Sequence, residues 1–154
     1  NKKMRHQKSI EALQLFTTGL TNGAFAHFVQ GKHFESMGFT KLGEKYKEHY
    51  TEEMGWVEKF IARINDLGGE VKIEDQKGRE IVKDPVEYVE ADLKIQEQGV
   101  EFLYNCMAEL KDDPTTYDIL KAYLADEEED LYWSQEQMEM IEMIGRQNWL
   151  MKQM

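Results

Sequence analysis

The chain contains only two prolines, and each directly follows an aspartate, at Asp84-Pro85 and Asp113-Pro114. An acidic cap followed by proline at the first helical position marks a helix start, because proline lacks the amide N–H that would be left unpaired there. Between the two starts, Val86, Val89, Leu93, Ile95, Val100, Leu103, Cys106, Met107 and Leu110 recur mostly at three- and four-residue spacing. This predicts one helix of about 25 residues. After Pro114, the stripe Tyr117, Leu120, Tyr123, Leu124, Leu131, Met138, Ile141 and Ile144 predicts a second long helix that stops at Gly145. Upstream, Ile10, Leu13, Phe16, Leu20, Ala24, His27, Phe28 and Phe34 trace a stripe ending near Gly38. Another runs through Leu42, Tyr46, Tyr50, Met54, Val57, Phe60, Ile61 and Ile64 to Gly68-Gly69, a helix-terminating pair. The stretch 70–84, EVKIEDQKGREIVKD, has no helical period. Two helices, one long connection and two more helices predict an all-α four-helix bundle with a single crossover between helices two and three. Residues Arg146 to Met151 read as a short fifth helix.

At 154 residues and 18.2 kDa, residues 1–154 are expected to form a single domain around one core. A net charge of −11 argues against nucleic acid as a partner, since phosphate binding needs a Lys/Arg face, and favours cations instead. The single cysteine, Cys106, excludes an internal disulfide framework, fits a reducing cytoplasm, and is expected to pack as a small buried hydrophobe. No secretory leader opens the given stretch and no run of about 18 apolar residues occurs, so a cytoplasmic protein without a membrane partner is expected.

Within the last long helix, LADEEEDLYW places five consecutive acids between apolar residues. Neighbours on a helix point about 100° apart, so these acids cannot share one face. Leu124 and Leu131 lie seven apart on one side; Glu127 and Glu128 fall between them, Asp130 joins Glu127, and Glu129 points to solvent. Glu53 falls on the apolar stripe of the second helix, flanked by Tyr50, Val57 and Phe60. Inward carboxylates on separate helices suit a metal centre, as hard cations prefer oxygen ligands. A solvated or cation-paired face is the competing reading, because an unpaired buried charge costs several kcal/mol.

The segments ADEEEDLYW and MIEMIGRQNWLMKQM, EEMGWVEKFIARINDLGG and FESMGFTKL together resemble the fourth and fifth helices, the second helix and the first turn of the bacterioferritins, within the ferritin-like superfamily. The resemblance covers nearly the whole chain. It implies a ferritin-like bundle that assembles into a hollow iron-storing cage, with a 24-subunit shell in that family. The family's diiron centre takes a Glu from the first helix, Glu-x-x-His from the second, a Glu from the third and Glu-x-x-His from the fourth. Carried over, these fall on Leu20, Glu53 with Trp56, Gln96, and Glu127 with Asp130. Two ligands are kept, two positions still offer oxygen, and Leu20 and Trp56 offer no donor. Ferroxidase activity is therefore expected to be weak or absent.

Glu53, Glu127, Asp130 and Gln96 would instead hold one hard cation, with His27 assisting if it faces the bundle interior. The alternative is a hydrogen-bonded cluster in which one carboxyl stays protonated beside its like-charged neighbour. The Trp56 N–H then needs an acceptor, for which Glu127 or Glu53 is available. His6, His33 and His49 show no paired ligand spacing and are expected at the surface. Met54 occupies the family's haem-ligand position and is expected to face a neighbouring subunit, either as a haem ligand at a twofold interface or as an interface side chain. The resemblance thus implies an iron-storage subunit binding iron and, through Met54, haem, as a homo-oligomer. Two alternatives stand beside it: a structural or electron-transfer subunit in a hetero-oligomer with an active ferritin subunit, and a metalloenzyme with an altered mono- or dinuclear site.

Overall fold

The computed structural model describes residues 2–154. The helices are α1 (Lys2–Ser36), α2 (Thr40–Asp66), α3 (Pro85–Ala108), α4 (Pro114–Ile144) and the short α5 (Arg146–Lys152). Both Asp-Pro starts hold. The Asp84 carboxylate accepts from the amides of Val86 and Glu87, and Asp113 accepts from the amide of Thr116. Helix α1 begins well before the apolar stripe at Ile10. Helix α2 has no side-chain cap at Phe39; its first amides, of Lys41 and Leu42, donate to the carbonyl of Gln153 at the far end of the chain. Gly145, at φ 85°, breaks α4 so that α5 folds back, and Trp149 is fully buried with its indole N–H donated to Gln137.

Helices α1 and α2 are joined by a three-residue turn and run antiparallel, and α3 and α4 pack as a second pair. Gly31 and Gly43 set how closely the first pair approaches. A Cβ on Gly31 would lie 2.8 Å from the Gly43 carbonyl oxygen, and one on Gly43 would lie 2.7 Å from that of Gly31. The crossover is irregular and lies along α1. Gln14 pairs with the backbone of Lys72, Asn22 with the carbonyl of Lys77, and Gln30 with both backbone groups of Val82. This ladder returns the chain to the end of the bundle where α2 began, and it sets the direction of α3.

Two apolar clusters fill the bundle. One is built on Leu13, Phe16, Phe60, Leu103, Leu120 and Tyr123, the other on Phe34, Leu42, Tyr46, Tyr88, Val89 and Trp149. Ile95, counted in the α3 stripe, is instead 55% exposed, because it sits one position before the buried Gln96 and so points aside from that face. Cys106 is half-buried against the first cluster. Among the described residues no helix is long and apolar enough to cross a membrane.

Candidate metal centre

Helical spacing brings polar residues from all four long helices to the bundle centre. Helix α2 presents Tyr46, His49, Glu53, Val57 and Phe60 at intervals of three and four, so His49 and Glu53 share the buried face. Helix α3 likewise presents Tyr88, Asp92 and Gln96. Helix α1 contributes His27, and α4 contributes Glu127 and Asp130. His27, His49, Glu53, Asp92, Gln96 and Asp130 are all buried, and Glu127 is half-buried. They line a cavity of about 260 Å³, whose wall also includes Gly19, Gly23 and Gly99.

The contacts inside the cavity are close without being hydrogen bonds. His27 Nε2 lies 3.6 Å from both Glu53 Oε1 and Asp92 Oδ1, and His49 Nε2 lies 3.7 Å from Asp130 Oδ1. An N–H···O bond needs about 2.7–3.2 Å. Among the described residues only Tyr88 closes a bond to the cluster at normal length, with its hydroxyl 2.7 Å from His27 Nδ1. His49 Nε2, Glu53 Oε1, Asp92 Oδ2 and Gln96 Oε1 have no hydrogen-bond partner among the described residues. One atom each of His27, His49 and Asp92 lie within 4.8 Å of one another, and the same holds for Glu52, Asp126 and Asp130.

Burial dominates the electrostatics. It pushes the Asp92 carboxyl up to about 7, against the pull of the Arg79 guanidinium. Burial, and then neighbouring carboxylates, Asp126 among them, push Glu127 and Asp130 up to about 8. The Glu53 carboxyl is raised well above the ordinary range by burial and by Glu127, Asp92 and Asp130. Burial likewise lowers His27 and His49 to about 3, so both imidazoles are neutral at pH 7.

Glu53, Glu127, Asp130 and Gln96 are therefore brought together, and His27 does face the interior. Two expectations need correction. His49 is 1% exposed rather than at the surface, because it lies four residues before Glu53 on the same face; His6 and His33 are half-buried. The Trp56 indole donates to Asp126 Oδ2 at 2.7 Å, not to Glu127 or Glu53, because Trp56 turns toward the outer α2–α4 seam with Lys59 over its ring. Asp92 carried no expectation at all, although its spacing from Tyr88 and Gln96 marks it as inward. Leu20 is buried in apolar company, and Met54 is half-buried against the first cluster.

The ferritin-like domain family matches residues 23–144. The chain belongs to the ferritin-like family. It is 32% identical over 151 residues to a bacterial ferritin of Pseudomonas aeruginosa, covering 96% of this chain and 97% of that one. A bacterial ferritin of Neisseria meningitidis serogroup B is 32% identical over 131 residues, covering 83% and 84% of the two chains. A bacterioferritin of Mycolicibacterium paratuberculosis is 28% identical over 140 residues, 88% of each chain. Two of the positions that the resemblance pairs with diiron ligands carry side chains without a donor for a metal. Leu20 has no donor, and Trp56 spends its only polar group as a donor to Asp126.

Proposed function

We propose that the chain, as one ferritin-like domain over residues 1–154, is a cytoplasmic iron-storage cage subunit whose diiron oxidation centre is impaired or lost. The observation that carries this is Trp56. A ligand position on α2 is filled by an indole whose N–H is committed to Asp126 and which has no lone pair to give. Glu53, Glu127, Asp130 and Gln96 keep oxygen in the cavity, enough for a cation but short of the bridging and terminal donors that two adjacent irons require. Iron is cargo in this reading. Its mineral would grow against acids such as Glu52, Asp126 and Glu129 along the outer α2–α4 seam, in a shell of 24 like subunits.

Met54 is the residue that would hold a haem at a twofold contact between subunits. Its thioether is a suitable donor to haem iron and its side chain is only half-buried. The bound group would supply one-electron transfer. The same loss of donors favours a second reading, co-assembly with a related subunit that retains oxidation chemistry.

The test is stopped-flow absorbance of the purified homopolymer after aerobic Fe²⁺ addition, with its visible spectrum recorded beforehand. Slow, unsaturating oxidation with eventual iron retention is the expected result. A rapid phase saturating at a few ions per subunit would overturn the reading. Failure to form iron-retaining shells alone would favour co-assembly, and a Soret band unchanged in Met54→Leu would remove Met54 as haem ligand.

A further inference from the structure

The geometry points to a single divalent transition-metal site built from His27, His49 and Asp92, with Glu53 beside them. Its His49 and Asp92 are set one helical turn away from positions compared with the diiron centre. His49 stands four residues before Glu53, and Asp92 four before Gln96, so the displacement is the same on α2 and α3.

Three features support it. The first is distance. Metal–nitrogen and metal–oxygen bonds of about 2.1 Å at tetrahedral angles set neighbouring ligand atoms roughly 3.4 Å apart. His27 Nε2 is 3.6 Å from an oxygen of each of Glu53 and Asp92, too far for hydrogen bonds and close to the edge of a coordination shell. The second is the set of bare polar atoms. His49 Nε2, Glu53 Oε1 and Asp92 Oδ2 are buried without partners, and one ion would satisfy several of them together. The third is the Tyr88 hydroxyl on His27 Nδ1. It fixes the ring and leaves Nε2 directed at the carboxylates, as the second nitrogen of a ligating histidine is usually held.

Charge and donor type define the ion. Two carboxylates balance a divalent cation, and the two imidazoles add nitrogen donors. Imidazole nitrogen suits Zn²⁺, Fe²⁺, Co²⁺ and Ni²⁺, whereas Ca²⁺ and Mg²⁺ favour shells of oxygen alone. The site goes beyond the storage reading and does not depend on it, since a resident ion could occupy it whether or not the assembly mineralises iron.

The test uses the full-length assembly, stripped with chelator and titrated with Co²⁺ by visible absorption, with Zn²⁺ as competitor. One ion per subunit is expected, displaced by Zn²⁺ and not by excess Mg²⁺. His27→Gln and His49→Gln should each weaken binding about 100-fold, while Asp126→Asn, in the separate acidic group, leaves it within about twofold. Absence of saturable binding, binding unchanged in both histidine variants, or loss in Asp126→Asn instead would each overturn the assignment. Should a histidine variant fail to fold, anomalous scattering at the zinc edge from crystals of the parent decides. A peak bonded to both imidazole rings supports the site, and a peak elsewhere or none overturns it.

Discussion

Ser9, Arg63, Asp113 and Thr116 form a buried polar network at the start of α4, and their side chains meet at 2.7–2.9 Å. His27, His49, Glu53, Asp92 and Asp130 form another at the bundle centre, where the ionisable groups meet at 3.6–3.7 Å and several atoms have no partner. The first takes charge out of water and offsets that cost with its own hydrogen bonds, whereas in the second burial lowers the imidazoles and raises the carboxyls toward their neutral forms. Asp113 in the first accepts from Ser9, Thr116 and Arg63 and also caps α4. The closed network is a structural joint. The open one has unpartnered atoms among the described residues that a bound cation would satisfy.

The largest effect that could break this contrast is expected from Asp113→Ala. The substitution removes the α4 cap, strips Ser9 and Thr116 of their acceptor and leaves Arg63 without its counter-charge, a loss of about 3 kcal/mol. Urea unfolding of the chelated protein and of the Zn²⁺-treated protein should give the same loss, because no ion takes part. A loss under about 1 kcal/mol, or one that Zn²⁺ restores, would mean the two clusters do not differ as described.

The two networks should also respond to pH with opposite sign. Burial pushes the Asp113 carboxyl up, but hydrogen bonds from Ser9 and Thr116 and the charge of Arg63 outweigh it and hold the group below its usual range. Its folded pKa is depressed, so its contribution is present above the usual 3.8 and is lost as pH falls through the folded value. In the open cluster, Asp92 rises from 3.8 to about 7, and Asp130 from 3.8 and Glu127 from 4.5 to about 8. The folded state then holds protons that the unfolded chain has released, and stability falls as pH rises toward 8. His27 and His49, at about 3 in the fold against 6.5 unfolded, cost stability only below about 6.5. Across pH 6.5 to 8 the folded, chelated protein holds on the order of two protons more than the unfolded chain, so it should lose several kcal/mol over that window. Thermal midpoints across it are the measurement, and a flat or rising profile would show that the cluster already holds its own compensation.

The same contrast explains what was legible in the sequence. Asp84-Pro85, Asp113-Pro114 and Gly145 act within a few residues of themselves, so the helix starts and the last break could be read directly. The start of α2 could not, because its amides are capped by Gln153 at the opposite end of the chain. Glu53, Gln96 and Asp130 were legible through apolar spacing and family resemblance. His49 has no partner histidine or cysteine at ligand spacing, and its inward position shows only through its place one turn before Glu53. Asp92 lies four residues after Tyr88 and four before Gln96, a spacing that marks it as inward, but its pairing with His27 exists only once α1 and α3 are brought together.

The smallest expected effect sharpens the comparison most. Tyr88→Phe keeps the ring that packs against Phe34 and Tyr46 and removes only the hydroxyl held to His27 Nδ1. As a purely structural bond, its loss leaves one buried ring nitrogen unpaired and costs about 1 kcal/mol. If His27 is a ligand, the same hydroxyl also sets the ring's orientation and which nitrogen carries the proton, and its loss should weaken ion binding by about tenfold. Unfolding of the chelated variant isolates the first quantity and Co²⁺ titration the second. A stability loss with unchanged affinity would make Tyr88 a packing partner alone, and would leave the centre closer in kind to the Asp113 network than its bare atoms suggest.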